Sequence, residues 1–418
     1  MSTVCGIDFG TSNSTIGIAH QGKAKLIKLE NDQHTLPSAL FFNYDEQSTS
    51  YGRQAIAEYI DGEHGRLMRS LKSILGTSLM KQGTHINQQA VTYNDIIAAF
   101  IHELKSRAQI ISEQYLSKVV AGRPVHFVDN DKSADTMAQN ALEGVYKSLG
   151  FQFVEFQFEP IAAAINYEQT LDQEELALIV DIGGGTSDFS IIRLSPESRN
   201  KADRIDDILT TSGVHIGGND FDRSFNLSKA MPMLGFNSHM GGASRRRMPS
   251  SHFYDLATWH LIHNQYDRKN IHQIESLRIH AEQPELLDRL VKLLKYQDGH
   301  RLISLVEECK ISLTTQETSQ LDLSFIENEL ILDCSCDEFN EATVNQVNGI
   351  YKTIHDCLLA SQTKAQQINS VFLTGGTTGL PAVRNAVESI FPNTKIVEGN
   401  RFGSVGMGLT IDAMRRFA

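Results

Sequence analysis

The chain is poor in the features that mark a small secreted domain or a membrane protein. Its 418 residues include only five cysteines, at positions 5, 309, 334, 336 and 357. An odd number in a long chain does not make a disulfide framework. Cys334-Ser335-Cys336 lacks the two-residue spacer of a zinc knuckle and has no partner pair. The fifteen histidines include no His-Glu-x-x-His; His260 and His263, one turn apart, read as ordinary surface or core residues. No apolar run approaches membrane-spanning length. The N-terminus has no charged stretch followed by a long apolar one, and Asp8 interrupts the only candidate, so no signal peptide is expected. Gly-Lys-Ser/Thr and Gly-x-Ser-x-Gly are both missing, which argues against a P-loop protein and a serine-hydrolase elbow. Basic charge is also scarce. The net charge of −12 disfavours a general nucleic-acid or anionic-membrane surface. With 41% hydrophobic and 21% charged residues the composition is that of a globular chain, and the cytoplasm is the expected location. The length favours two lobes over one core.

Two short segments carry most of the positive information. They read Ile7-Asp8-Phe9-Gly10-Thr11-Ser12-Asn13 and Val180-Asp181-Ile182-Gly183-Gly184-Gly185-Thr186-Ser187-Asp188. Each follows an apolar β-run, puts Asp at the strand end, and returns to a second β-run through glycine and hydroxyl residues. One such segment reads equally as a tight hairpin. Two matched copies point to a clamp on a phosphate chain. Glycine lets backbone N–H groups approach an anion, and successive N–H groups form an anion-binding nest. Asp8, Asp181 and Asp188 would repel bare phosphate, so a bridging cation is implied. Hard oxygen ligands point to Mg²⁺, which usually keeps several waters.

A larger repeat surrounds the two segments. In the first half a strand at Lys118–Ala121, a helix at Ser133–Leu149, a strand at Phe151–Phe158 and a helix from Pro160 follow the hairpin. In the second half the matching elements are expected at Ser370–Thr374, Pro381–Phe391, Lys395–Val397 and about 403–415. Each half is therefore expected to be a mixed sheet flanked by helices, with ligand at the strand ends. The halves are placed at 1–172 and 173–418, with insertions at about 36–94 and 225–305. The second insertion reads as mainly helical, at Asp255–Gln265 and Pro284–Leu294, with Gly241–Pro249 as an exposed basic loop.

These segments, in this order, resemble the ATPase domain of the DnaK-type heat-shock (Hsp70) chaperones. The first loop, the second loop, Glu159-Pro160-Ile161-Ala162-Ala163-Ala164, Ile216-Gly217-Gly218-Asn219-Asp220-Phe221-Asp222 and Thr374-Gly375-Gly376-Thr377-Thr378-Gly379 match five family motifs in family order. The resemblance implies the α/β actin-like ATPase fold, with two duplicated ribonuclease-H-like lobes around a nucleotide cleft. It implies ATP or ADP as ligand, with Asp8, Asp181 and Asp188 in the Mg²⁺ shell, mostly through water. Gly10, Thr11, Ser12, Asn13, Gly183, Gly184, Gly185 and Thr186 would bind phosphates. Lys72, in Leu71-Lys72-Ser73-Ile74-Leu75-Gly76, would orient the attacking water, and Glu159, Asp181 and Thr186 would complete the catalytic set. Gly217, Gly218, Glu307, Lys310, Thr314, Gly375, Gly376 and Thr377 match nucleoside-side positions.

The chain also departs from the family pattern. Two arginines that would sandwich adenine are replaced by Ile311 and Gly379, removing stacking and cation–π contact. Asn400-Arg401-Phe402-Gly403-Ser404 replaces a different family motif. Pro124 resembles the family's switch proline but lacks a recognisable arginine partner. No peptide-binding domain is expected, and the chain most resembles the short YegD-like relatives with an enlarged second insertion. Three readings follow. The first is a monomeric Mg²⁺-dependent ATPase that switches conformation for a protein client or co-chaperone. The second is a nucleotide-binding scaffold with little turnover. The third, a small-molecule kinase of the same superfold, would need a polar acceptor pocket that no segment specifies.

Overall fold

The computed structural model describes residues 3–77, 80, 83–87, 89–128, 131–241, 245–398 and 403–417. The chain forms two compact units. The first comprises Met1–His215, Tyr351–Thr378 and Val387–Ala418; the second comprises Ile216–Ile350 and Gly379–Ala386.

Among the described residues, eleven strands build the two main sheets, both in the first unit, and ten of them are numbered here. They are β1 (Val4–Asp8), β2 (Asn13–His20), β3 (Lys23–Leu26), β4 (Lys118–Arg123), β5 (Phe153–Phe158), β6 (Glu175–Ile182), β7 (Ser187–Leu194), β8 (Ile208–Val214), β9 (Ser370–Thr374) and β10 (Lys395–Glu398). The helices used below are α1 (Tyr93–Ser112), α2 (Lys132–Ser148), α3 (Glu159–Glu168), α4 (Gly218–Lys229), α5 (Pro284–Lys295), α6 (Gly299–Ser312) and α7 (Ser404–Phe417). The sheets are topological copies. One runs β5-β4-β1-β2-β3 and the other β10-β9-β6-β7-β8. In each, an antiparallel hairpin meets two parallel strands. The short strand Thr35–Pro37 extends the first sheet beside β2. The lobe boundary placed at residue 172 falls between α3 and β6.

The central strands read as continuous apolar runs because both of their faces are covered. On one side of the first sheet, Phe9, Ile97, Phe100, Leu142 and Tyr146 form a core with α1 and α2. A second core joins the two sheets through α3 and α7, using Val4, Ala162, Ile165, Ile179, Ile192, Leu409 and Ala413. Small residues let these helices meet at backbone distance. A Cβ on Gly408 would collide with the Ala162 carbonyl. At the far end of α3, the fully buried Arg204 donates to Glu168 Oε2 and Oε1 at 3.0 and 2.7 Å, and also to Asp207. Removing one member of such a buried charge cluster costs about 3–5 kcal/mol.

The first insertion forms a small sheet of Ala39–Asn43, Ser48–Tyr51 and Gly65–Arg69 with the helix Gly52–Ile60, then the hairpin Gly83–Ile86/Gln89–Thr92. Thr92 and Asp95 close a capping box that starts α1.

The second unit is largely helical. α5 buries the stripe Leu287, Leu290, Leu293 and Leu294. The stretch expected as one helix at Asp255–Gln265 is instead the helix Ser251–Leu256 and a 3₁₀ segment, Trp259–Tyr266, separated at Thr258, whose extended backbone breaks the α-ladder. The side chains of His260 and His263 lie outside the described residues. The expected basic loop is part of a hairpin: His239–Met240 pairs with Arg246–Arg247, and Arg245 forms an ion pair with Glu282 at 3.0 Å. Its residues 242–244 are not described.

Candidate functional site

The duplicated sheets bring equivalent aspartates to equivalent places. Asp8 ends β1 opposite Thr15, and Asp181 lies near the end of β6 opposite Asp188. Asp181 also faces Thr374 on the parallel strand β9, whose Oγ1 donates to its Oδ1 at 3.1 Å.

Lys72 comes from the first insertion. It sits in a 3₁₀ turn, Leu71–Ile74, entered through Ser70 in a left-handed conformation (φ 56°). That conformation is uncommon for serine and costs roughly 1–2 kcal/mol, so the surrounding fold must impose it. Lys72 Nζ donates to Glu159 Oε1 at 2.5 Å, with only 11% and 15% of the two side chains exposed. Glu159 opens α3, directly after β5.

The electrostatics follow from counting charges. Burial, then Glu159 and Asp181, push the Asp8 carboxyl up to about 7, against the pull of Lys72. Burial, then Asp188 and Glu159, push Asp181 up to about 7, opposed by Thr374 and Lys72. Burial would lower the Lys72 pKa, but Glu159, Asp8 and Asp181 outweigh it and raise it. Four carboxylates thus share one ammonium, and the site is short of positive charge. Among the described residues, no three carboxylate, imidazole or thiol groups converge to hold a metal ion directly.

The two loops are held differently. In the first, Gly10 N donates to Ser14 Oγ at 3.2 Å and Ser38 Oγ donates to Gly10 O at 2.7 Å. Ser38 N donates to Ser12 O at 2.8 Å, and the Ser14 and Ser38 hydroxyls lie 2.9 Å apart. Thr11 and Ser12 form the bend, and Asn13 begins β2. In the second, Gly183 N donates to Thr186 O at 3.0 Å, Thr186 Oγ1 to Asp188 Oδ2 at 3.2 Å, and Thr377 Oγ1 to Gly183 O at 3.1 Å. A Cβ at Gly185 would meet nothing within 4 Å, so this face of the loop is open. Gly375 has φ +82°, and a Cβ there would strike the Ile182 carbonyl. Only glycine fits that turn. Gly376 and Thr377 follow it in a short 3₁₀ turn.

Beside the carboxylates lies a cavity of about 1040 Å³, walled by Glu159, Asp181, Asp188 and Thr374 and continuing past Arg123 and Thr211. Arg123 is the residue that holds the Pro124 turn. It donates to Pro124 O at 3.0 Å, to Val125 O at 3.1 Å and to Asp135 at 2.8 Å. Sequence reading missed it because it directly precedes the proline. Ser38 was missed because nothing local links it to Gly10.

The remaining expected site residues belong to the second unit. Gly217 caps α4 and Gly218 begins it; Glu307 and Lys310 lie on α6, and Thr314 just follows that helix. Lys310 donates to Asp222 at 2.7 Å, with both side chains about nine-tenths buried. Ile311 is 56% exposed. Residues Asn400, Arg401 and Phe402 lie outside the described residues.

Two copies of a mixed sheet with this strand order, each closing on an aspartate-ended hairpin, constitute the actin-like ATPase fold. Comparison with known families then identifies the chain itself. The model of the Hsp70 protein family matches residues 4–227 and 292–414, and the chain belongs to that family. The match leaves out residues 228–291, within the second unit. Among curated proteins, the chain is 25% identical over 407 residues to the chaperone protein DnaK of Mycoplasmopsis pulmonis (strain UAB CTIP), covering 94% of this chain and 55% of that protein. It is 26% identical over 402 residues to the chaperone protein DnaK of Mycoplasma mycoides subsp. mycoides SC, covering 94% and 56%. The chain thus spans about half the length of these relatives. Among the described residues, no helix is long and apolar enough to cross a membrane.

Proposed function

We propose that the chain binds Mg²⁺-ATP between its two glycine loops and hydrolyses it slowly, as a chaperone-type conformational switch. The observation that carries this reading is the convergence, within one compact unit, of two aspartate-ended hairpins and a buried Lys72–Glu159 pair.

The donor set fits a hydrated Mg²⁺. It consists of hard carboxylate oxygens and is short of positive charge. Asp8, Asp181 and Asp188 would hold the ion, mainly through water. When bound, Mg²⁺ would neutralise phosphate charge. The chain's own residues supply the rest. Gly10 and Gly183 use their own N–H groups to close the loops, and the backbone N–H groups that follow them, in Thr11–Asn13 and Gly184–Thr186, bind phosphate oxygens in nests. Lys72 stays protonated and offers the N–H donors that Glu159 leaves unused to a water in line with the terminal phosphorus. Glu159 fixes that ammonium. Catalysis then rests on positioning and charge rather than on a covalent intermediate. The relatives are named as chaperones, so protein folding or quality control is the process we assign, with a client or co-chaperone as partner. The expected state is a monomer in the cytoplasm.

A second reading, a nucleotide-binding scaffold with little turnover, is favoured by Ile311. An exposed isoleucine at a position the family uses to stack adenine weakens base binding. The YegD-like resemblance, with its enlarged second insertion, accommodates either reading. Calorimetric titration with ATP, ADP, GTP and AMP, with and without Mg²⁺, tests the proposal. Mg²⁺-dependent ATP binding supports it. Binding of no nucleotide would leave only a scaffold.

A further inference from the structure

β4 and β5 run parallel and end side by side, with Gly122 opposite Gln157 and Arg123 opposite Phe158. Phe158 is the last residue before Glu159, which opens α3 and holds Lys72. Phe158 gives α3 no side-chain cap, so the placement of Glu159 falls to neighbouring elements. Gly122 is the floor beneath it. A Cβ built on Gly122 would lie 3.3 Å from Glu159 Cγ and 3.4 Å from Glu159 Oε1, the oxygen that accepts from Lys72, and 3.1 Å from Leu409 Cδ1 on α7. The Gly122 backbone lies outside the left-handed region, so this glycine provides space rather than an unusual turn. Arg123 is the side wall. Its guanidinium lies 5.3 Å from the centre of the Phe158 ring and 5.2 Å from that of Phe127. Pro124 O, Val125 O and, on α2, Asp135 and Gln139 all accept from it. Asp135 also accepts from Phe127 N at 2.6 Å. A planar guanidinium fork serves all these directions at once, which an ammonium cannot.

We propose that Gly122 and Arg123 are positioning residues for the Lys72–Glu159 pair. Arg123 anchors the stretch of chain that enters α3, and the bare surface of Gly122 lets the Glu159 carboxylate lie where Lys72 reaches it. Both residues act through Glu159. A methyl group on Gly122 would push the carboxylate by a few tenths of an ångström, against a charge-assisted bond of 2.5 Å. Loss of the Arg123 fork would free Phe158, and with it the first turn of α3. Either change re-aims the N–H groups that Lys72 keeps for a ligand. The consequence for turnover rests on the reading of Lys72 as the group that orients the attacking water; the seat of Glu159 does not.

The test compares full-length wild type with Gly122→Ala, Arg123→Lys and a control, Gly144→Ala on α2, where an added Cβ would meet nothing within 4 Å. The first readout needs no nucleotide. The folded proteins are acetylated with trace acetic anhydride at one pH, and mass spectrometry measures Lys72 modification against exposed lysines of the same sample. Gly122→Ala and Arg123→Lys should raise Lys72 labelling by about threefold or more, because a loosened ion pair frees the amine. Gly144→Ala should match wild type. The second readout is ATP turnover, where kcat should fall by about tenfold or more in the first two variants while KM changes by less than about threefold. Wild-type labelling of Lys72 in folded Gly122→Ala overturns the proposal, whether or not the protein hydrolyses ATP. Raised labelling with kcat unchanged, or with only KM raised, overturns the link to turnover. If wild type itself shows no turnover, raised labelling still supports the seat, and it is the hydrolytic reading that fails. Should Gly122→Ala not fold by circular dichroism, the labelling of Arg123→Lys decides in its place.

Discussion

The two halves of the duplicated unit share a scaffold but not a charge pattern. Strand order and hairpin register repeat, yet Asp8 faces a threonine across its hairpin whereas Asp181 faces Asp188. The first half supplies the ammonium, through an inserted turn, together with Glu159. The second half crowds acids together and relies on that cation. Its loop is fastened by Thr377, and the first by Ser14 and Ser38. The repeated scaffold therefore provides matching backbone cradles, while the chemistry depends on side chains that differ between the halves.

The strongest test of the shared scaffold is Gly408→Val. Its side chain would have to displace the α3 backbone at Ala162. A loss of more than about 3 kcal/mol is expected, enough to leave the protein insoluble or molten on circular dichroism. A cooperative melt close to wild type would mean that α3 and α7 separate easily.

Asp181→Asn tests the crowded half. Mg²⁺-dependent ATP binding should disappear by calorimetry, while the nucleotide-free protein becomes more stable. The sign follows from linkage. The folded-state values of Asp8 and Asp181 are raised from 3.8 to about 7, so protonation favours the folded state. That contribution is fully present below about 4 and is lost as pH rises towards 7. In chelator, wild-type thermal stability should fall across this window, and the fall should be smaller in the variant. An unchanged slope would mean that the carboxylates are not crowded in solution.

Lys72→Ala addresses the cation of the first half. Turnover should fall about a hundredfold or more while ATP affinity changes by less than roughly threefold. Equal losses in both would make Lys72 a binding residue.

The fasteners give smaller effects. Ser38→Ala and Thr377→Val should each cost about 0.5–1.5 kcal/mol of stability and weaken ATP binding a few-fold. Larger loss for Ser38→Ala is expected, because that hydroxyl serves both Gly10 and Ser14. Equal effects would argue that the loops are equivalent after all. Smallest of all, Ile311→Arg should tighten ATP binding by up to about tenfold if a guanidinium there can stack on adenine.

Much of this was readable along the chain. The apolar runs before Asp8 and Asp181, the glycines after them and the repeat of strand and helix all express local periodicity, which a linear sequence carries directly. Elements such as Ser370–Thr374 follow from that alone. The family resemblance adds roles for Lys72 and Glu159 that spacing could not supply, since a lysine on a short helical turn is ordinarily a surface residue. The 3₁₀ segment Trp259–Tyr266 was not legible, because its composition suits an α-helix and no proline or glycine marks the extended backbone at Thr258.

What depends on the folded chain is every feature that joins distant segments. Lys72 meets Glu159 across 87 positions, and Ser38 reaches Gly10 across 28. Thr374 meets Asp181 across 193. The raised carboxyl groups of Asp8 and Asp181 belong to the same class. A side chain's charge state depends on burial and on neighbours within a few ångströms, and those neighbours are chosen by sheet pairing rather than by sequence order. Residue types at strand ends thus announce the two glycine loops, while the electrostatic balance of the site exists only once the chain has folded.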